Sequence, residues 1–133
     1  MVSDGPAVTH LQIGEVSART ELSIKTIRHY DDVGLVQPSA RSAGGFRLYT
    51  TDDVNRLLAI RRMKPLGFTL EEMRELLVAL ETLAAPTADP GQRAEAASYL
   101  AECHTRAKEA CVTIAEQLAY AQELTDQLAT YAG

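Results

Sequence analysis

Residues 23–50 read SIKTIRHYDDVGLVQPSARSAGGFRLYT, and this stretch decides the fold. Its first part predicts a short helix, because Ile24 and Ile27 lie on one side of a helix and Ser23 can cap its first turn. A glycine then follows that can end the helix. The second part predicts a β-hairpin, because a glycine pair can make the turn and Phe46–Tyr49 alternates as a strand does.

The residues before this stretch predict another short helix. Ile13 and Val16 are spaced for one apolar face, and Thr20-Glu21 interrupts the pattern before the next helix. Two short helices joined by a tight turn describe a helix-turn-helix, whose second helix can read DNA. With the hairpin as a wing, the predicted fold class is mainly α, a winged helix-turn-helix domain.

The predicted reading helix carries polar groups on the side away from its isoleucines. Lys25, Thr26 and His29 point outward, and Arg28 lies on the flank. These groups could enter a major groove. Any solvated surface helix also has a polar face, so the helix alone leaves both interpretations open.

The predicted wing favours the DNA-binding interpretation. Arg41 and Arg47 flank its tip, where guanidinium groups could reach phosphates. Phe46 could lie against the sugar-phosphate backbone. Both candidate contact surfaces are therefore cationic.

Three features organise the next part of the chain. Thr51 is a candidate cap for a third helix, which Pro65 and Gly67 close. Thr69-Leu-Glu-Glu is a capping-box pattern that opens a fourth helix.

The chain is predicted to divide at a proline-containing linker. Residues 84–91, AAPTADPG, hold two prolines that prevent a continuous helix. The predicted parts are a DNA-binding domain over residues 11–83, this linker, and a long dimerisation helix over residues 92–131.

The long helix is predicted to pair with a second copy of itself. A heptad reading with Leu100 at position a gives an apolar stripe that so small a domain cannot bury alone. The predicted dimerisation residues are Leu100, Cys103, Ala107, Ile114, Leu118, Ala121, Leu124 and Leu128.

The charge of the chain differs between its two halves. The net charge is -5, but residues 1–70 hold nine Lys and Arg against seven Asp and Glu, which is +2. Residues 71–133 hold four against eleven, which is -7. The acidic total therefore does not exclude a nucleic-acid partner for the first half.

The composition argues against a membrane, secreted or catalytic protein. No apolar run approaches the ~20 residues that span a bilayer, and MVSDGPAVTH lacks the layout of a signal peptide. No phosphate loop or nucleophile motif is present in the 133 residues. We expect a cytoplasmic, nucleoid-associated protein that is not an enzyme, has no cofactor and has no membrane partner.

Five sequence blocks resemble the MerR family of bacterial transcription regulators. They are IGEV, LSIKTIRHYDDVGL, RSAGGFRLYT, DVNRLLAIRRMKPLGF and TLEEMRELL, and the resemblance covers about residues 11–81. It implies a homodimer, held by an antiparallel coiled coil, that binds pseudo-palindromic promoter DNA with an overlong spacer. Bending and untwisting that spacer would realign the promoter elements for RNA polymerase. Pro65 stands where the family continues its helix, which predicts a locally altered turn.

The resemblance also implies site residues by position. Lys25 is the expected base-edge reader, and the arginines and Tyr30 resemble phosphate contacts. Alternatively, the Tyr30 ring supports the helix against the wing. The predicted DNA-binding residues are Ser23, Lys25, Thr26, Arg28, Tyr30, Arg41, Gly45, Phe46 and Arg47.

The signal is open at this stage. Metal sensors of the family place one cysteine near the start of the dimerisation helix and others after its end. The sequence up to Gly133 has no cysteine at either place. Cys103, His104 and Cys111 could form a metal or redox site, but positions i and i+8 lie about 12 Å apart along a helix. The preferred interpretation makes Cys103 a small seam residue and leaves any small-molecule or redox inducer unidentified.

Two other functions fit parts of the pattern. An architectural DNA-bending factor of the excisionase type shares the winged domain, but such factors are usually too short for a long dimerisation helix. A coiled-coil interaction protein without DNA binding would not need Lys25, Arg28, Arg41 and Arg47 together.

Overall fold

A computed structural model describes residues 9–132, in two compact units that meet in sequence between Leu77 and Val78. Most of the described chain is helical, as predicted. The elements are β1 (Leu11–Gln12), α1 (Ile13–Thr20), α2 (Ile24–Asp32), β2 (Ala40–Arg41), β3 (Arg47–Tyr49), α3 (Thr51–Met63), a 3-10 turn (Lys64–Leu66), α4 (Leu70–Ala84) and α5 (Pro90–Ala132).

The core of the first unit joins the helix-turn-helix to the wing and to α3. Burying each large apolar side chain contributes about 1.5–3 kcal/mol, so this shared core fixes the helices and the sheet to one another. The side chains at its centre are each no more than 2% exposed. They are Val16, Ile27, Tyr30, Tyr49, Leu57 and Ile60.

The helix-turn-helix is shaped by its caps and by one strained residue. Ser23 accepts a hydrogen bond from the Thr26 backbone N–H (3.0 Å), which confirms the predicted cap of α2. Between the helices, Glu21 has φ 61°, in the left-handed region that non-glycine residues rarely adopt. Arg61 of α3 supports this turn, because its Nη1 donates to the Thr20 carbonyl oxygen at 2.7 Å.

The wing is part of a three-stranded antiparallel sheet with strand order β1-β3-β2. The hairpin was predicted but strand β1 was not; Leu11–Gln12 form this strand directly before α1, with Leu11 opposite Tyr49. A two-residue strand has too little alternation to be recognised from sequence. An isolated hairpin is only marginally stable, so β1 anchors the wing to the rest of the unit.

Helix α3 begins with a capping box one residue earlier than predicted. Thr50, not Thr51, is the N-cap; its hydroxyl accepts from the Asp53 N–H (3.2 Å), and Asp53 Oδ2 accepts from the Thr50 N–H (2.9 Å). A capping box joins the cap residue to the third helical residue, which is Asp53 when Thr50 is the cap. The two reciprocal bonds therefore show that the helix is capped by Thr50. At the other end, Pro65 lies in the 3-10 turn, and Gly67 has φ 83°.

Helix α4 opens with the predicted capping box. The Thr69 N–H donates to Glu72 Oε1 (2.8 Å), and the Glu72 N–H donates to Thr69 Oγ1 (3.1 Å). This pair satisfies two backbone donors that a helix start leaves without partners.

The second unit contains the end of α4 and the 43-residue helix α5, which is about 65 Å long. Only residues 85–89 separate the two helices, so the predicted linker of residues 84–91 is too long at both ends. Helix α5 starts at Pro90 rather than Gln92 because proline is well suited to a first helical position, where its missing N–H is not needed. Asp89 accepts from the Gly91 N–H (2.8 Å) at this start. Within residues 9–132, no helix has both the length and the apolar character of a bilayer-spanning segment.

Candidate nucleic-acid interface

The exposed face of α2 carries most of the predicted reading residues. Lys25, Arg28 and His29 are exposed, while Ile27 on the opposite side is fully buried. This division follows from helical geometry, in which residues three apart share a side. The structure therefore leaves both cations of α2 open to a ligand.

Ser23 and Thr26 form a small network at the start of α2. The Ser23 hydroxyl donates to Thr26 Oγ1 (2.9 Å) and accepts from the Thr26 N–H. The first role of Ser23 is thus to hold the helix start, although the residue is exposed. Of the two hydroxyls, that of Thr26 is the one whose donor hydrogen stays available.

Tyr30, which is also a predicted DNA contact, does not lie on the exposed face of α2. Its side chain is 2% exposed, because it follows Ile27 by three positions and shares the buried side of α2. The hydroxyl is buried without a hydrogen-bond partner among the described residues. Lys64 Nζ lies 6.0 Å from the ring centroid. The structure thus supports the alternative role of Tyr30, in which its ring packs inside the domain.

The tip of the wing is a tight turn that presents an aromatic ring. Gly45 has φ 83°, and Phe46 is 70% exposed. Ser42 builds the turn, because its N–H donates to the Phe46 carbonyl (2.9 Å) and its hydroxyl accepts from the Phe46 N–H (3.1 Å). A β-carbon at Gly44 would lie 3.2 Å from the Phe46 ring, so the glycine lets the ring lie close to the turn.

The two wing arginines are both paired with Asp31, at the end of α2. Arg47 Nε donates to Asp31 Oδ2 at 2.7 Å, and Arg41 Nη2 donates to the same oxygen at 3.3 Å. Asp31 is buried, with its side chain 9% exposed. The sequence predicts phosphate contacts for both arginines but carries no signal for this ion-pair cluster, since Arg41 and Arg47 lie 10 and 16 positions from Asp31.

The ion pair changes the electrostatics around β3. The hydrogen bond that Arg47 donates to Asp31 raises the pKa of Arg47 above its ordinary value, so this guanidinium is charged at all accessible pH values. Burial, followed by the nearby charge of Asp31, raises the pKa of Tyr49. The buried Tyr49 hydroxyl is thus neutral around pH 7 and fits within the core.

A groove of about 140 Å³ lies between the helix-turn-helix and the wing. The groove is lined by the first turn of α1, by Arg28 of α2 and by three of the predicted contact residues of the wing. The lining residues are Gln12, Ile13, Gly14, Arg28, Gly45, Phe46 and Arg47. Arg28 thus shares one concave surface with the wing tip, although 17 positions separate it from Gly45 in the sequence.

Helix α5 presents apolar side chains to solvent in this single chain. Leu118, Leu124 and Leu128 are each 55–56% exposed, and Ile114 is 38% exposed. Leu100 and Ala107 are half-buried, Ala121 is exposed, and Cys103 is 9% exposed. A contiguous exposed stripe of large apolar residues is typical of a protein–protein contact.

The cysteines of α5 differ in exposure. Both are free thiols; Cys103 is buried and Cys111 is exposed. His104 is exposed beside Cys103. Among residues 9–132, no group of three or more His, Cys, Asp or Glu side chains is arranged to hold a metal ion.

The amino-acid sequence is similar to that of known regulatory proteins. The family described as MerR HTH family regulatory protein matches residues 11–80. The regulator HmrR of Rhizobium leguminosarum bv. viciae is 43% identical over 79 residues, which cover 59% of this chain and 60% of HmrR. The match thus spans less than two thirds of that relative.

A longer match covers most of α5 as well. Heavy metal-dependent transcription regulator 2 of Rhizobium meliloti is 32% identical over 123 residues, covering 92% of this chain and 75% of that protein. The crystal structure of a MerR family transcriptional regulator from Bacillus cereus superposes with a TM-score of 0.60 at 25% identity, covering 90% of this chain and 79% of that one.

Proposed function

Because this chain belongs to the MerR family of helix-turn-helix regulatory proteins, we propose that it is a dimeric transcription regulator that binds promoter DNA. One observation carries the proposal: α2 and the wing tip form a single exposed surface on which Arg28 and Phe46 line the same groove. A helix beside a cationic groove can enter the major groove while the wing follows the backbone.

The exposed residues divide into base readers and backbone contacts. Lys25 lies in the first turn of α2, the part of a reading helix that reaches base edges, and we assign it to base readout. Arg28 lies beside the groove and contacts phosphate. Phe46 is the exposed end of the wing and packs against the sugar-phosphate backbone.

The residues with less exposed side chains have supporting roles. Tyr30 and Arg47 hold α2 and β3 in position, so their effect on DNA is indirect. Arg47 is 24% exposed and already binds Asp31, which makes it a weaker phosphate contact than its sequence position predicts.

The exposed stripe of α5 supports a homodimer. Two copies that pair through this stripe present two reading helices, and such a pair recognises an inverted repeat whose spacing follows the dimer. Contacts to backbone phosphates on both halves can offset the cost of bending and untwisting the DNA between them, which is of order 1–6 kcal/mol for a smooth bend. RNA polymerase is the partner that such a distortion serves at a promoter.

The proposal leaves room for a small-molecule or redox inducer. The name of the Rhizobium meliloti relative refers to heavy metals, but the thiols of this chain differ in exposure and lie eight positions apart on one helix. A regulator of this kind works in the compartment that holds the chromosome, and its family is one of regulatory proteins rather than enzymes.

Binding to duplex DNA tests the proposal. The full chain should bind a mixed-sequence 30-base-pair duplex at about 50 mM salt, and the affinity should fall steeply as salt increases. Arg28→Ala should weaken this binding and lower the salt slope by about 1.8, because the dimer loses one phosphate contact in each protomer. Arg19→Ala, which changes a surface arginine paired with Glu15 on α1, should leave the slope unchanged. Absence of duplex binding at low salt would contradict the proposed function.

A further inference from the structure

Asp31 brings both wing arginines against the end of the reading helix. One carboxylate oxygen, Oδ2, accepts from Arg47 Nε at 2.7 Å and from Arg41 Nη2 at 3.3 Å. Two guanidinium groups that meet one buried anionic oxygen resemble the way arginines bind a phosphate oxygen. In this structure the Asp31 carboxylate binds the two guanidinium groups with which the wing could contact DNA phosphates.

The position of Asp31 is not explained by the stability of α2 itself. Asp31 and Asp32 are the last two residues of the helix. Carboxylates at a helix C-terminus oppose the helix dipole, so an isolated helix would be more stable with neutral or cationic residues there. The contacts of Asp31 are to the wing, which points to a role in positioning the wing cations.

The two arginines are held unequally. The Arg47 side chain is 24% exposed, binds Asp31 at 2.7 Å and has a second carboxylate, Asp32, at 3.8 Å. The Arg41 side chain is 50% exposed, and its two contacts, to Asp31 and to the Gly45 carbonyl, are both 3.3 Å long. Arg41 can therefore leave the cluster with little loss, while Arg47 stays.

We propose that Asp31 competes with DNA phosphate for Arg41. In the free protein Asp31 holds Arg41 against the end of α2; on DNA, Arg41 turns outward to a backbone phosphate. Asp31 is not left as an unpaired buried charge, because Arg47 keeps its shorter bond and fixes the wing to α2. Asp31 thereby lowers the affinity for every DNA sequence, so that binding depends more on the base contacts of α2. This inference rests on the proposed function.

A double-mutant cycle in DNA affinity tests the competition. The full-length variants are Asp31→Asn, Arg41→Ala and the double variant, measured by fluorescence anisotropy on a mixed-sequence duplex across a salt series. Asp32→Asn is the matched control, because it removes the same charge one position away and Asp32 is 71% exposed. Asparagine can still accept a hydrogen bond from Arg47.

The competition predicts three results. Arg41→Ala lowers the salt slope by about 1.8, the value for one phosphate contact in each protomer of the dimer. Asp31→Asn binds several-fold more tightly than Asp32→Asn. This gain disappears when Arg41 is also alanine, because only Arg41 is released by the change.

Several outcomes would overturn the inference. A folded Asp31→Asn protein that binds no more tightly than Asp32→Asn would give Asp31 a structural role only. If Asp31→Asn does not fold, as thermal unfolding would reveal, the slope of Arg41→Ala decides, and an unchanged slope refutes the transfer. Wild-type binding with an unchanged Arg41→Ala slope removes this inference alone, whereas no wild-type binding removes the proposed function as well.

Discussion

At the scale of single residues, buried carboxylates organise the DNA-binding unit. Asp53 is 1% exposed, and its Oδ2 accepts from the Ser39 N–H and hydroxyl and from the Thr50 N–H, at 2.7–3.1 Å. Its Oδ1 accepts from Arg56 at 2.8 Å. One side chain thus joins the segment before β2 to the start of α3.

Removing this carboxylate should destabilise the unit. Asp53→Ala leaves a helix cap and several backbone and hydroxyl donors without their acceptor, so we expect the free energy of unfolding to fall by about 2–4 kcal/mol. The control is Asp52→Ala, an exposed neighbour in the same helix turn, which should cost less than about 1 kcal/mol. Urea unfolding of both variants measures the difference, and equal losses would contradict the role of Asp53.

The buried hydroxyl of Tyr30 gives a second prediction at this scale. The oxygen has no partner among the described residues, so Tyr30→Phe should leave the free energy of unfolding unchanged or raise it by about 1 kcal/mol. DNA affinity and its salt slope should not change. Weaker DNA binding by a fully stable Tyr30→Phe protein would restore Tyr30 as a direct phosphate contact.

Sequence predicts residues well where their partners are local. The cap at Ser23 and the capping box at Thr69 could be predicted because the bonded atoms lie within three positions. The pairing of Arg47 with Asp31 could not, because it depends on where the wing folds back against α2. The same arginine therefore looked like a free cation in the sequence.

At the scale of elements, arginines from later helices hold the ends of the helix-turn-helix. Arg61 of α3 donates to the Thr20 carbonyl at the end of α1. Arg74 of α4 donates to the Val33 carbonyl, just after α2, at 2.9 Å. Terminal carbonyls of a helix lack intrahelical partners, so each arginine donates a hydrogen bond to a carbonyl that the helix itself leaves unpaired.

The Arg74 contact should fix the reading helix. Arg74→Ala removes a charged donor from the Val33 carbonyl, and we expect a loss of about 1–2 kcal/mol in the free energy of unfolding together with faster amide exchange in the last turn of α2. Glu71→Ala is the control, because it removes the surface ion pair of Arg74 and leaves the Arg74 donor to the Val33 carbonyl in the chain. Unchanged exchange in Arg74→Ala would show that the contact does not hold α2.

The wing was predicted as an element, but its anchoring was not. The glycine pair and the alternating strand define the hairpin locally, and these signals are present in the sequence. Strand β1 contributes only Leu11 and Gln12, and its pairing with β3 is a long-range contact across the helix-turn-helix. Such contacts depend on the folded core rather than on neighbouring residues.

At the scale of the whole molecule, the chain combines a cationic first part with an acidic second part. Residues 1–70 carry +2 and residues 71–133 carry -7. This division suits a protein in which DNA meets the first unit and a second protein chain meets α5. The composition predicts the charge difference between the two halves and the heptad pattern predicts a pairing helix, whereas neither pattern indicates an inducer.

The dimer should depend on the stripe of α5. Leu124→Asp puts a carboxylate into the predicted seam, and we expect dimer affinity to fall by about 100-fold or more. Val112→Asp is the matched control, because Val112 is 62% exposed on the same helix but lies outside the seam. Sedimentation velocity measures the oligomeric state of each variant. If both variants are monomers, or if both are dimers, the assigned seam is contradicted.

Selection of bound duplexes from a random-sequence library shows whether the chain is a sequence-specific dimeric regulator. The dimeric regulator predicts that the purified full chain enriches an inverted repeat with a fixed centre, and that Lys25→Ala relaxes the preference at symmetric positions in both halves. Enrichment of no sequence, with binding that depends on salt alone, would contradict a sequence-specific promoter regulator.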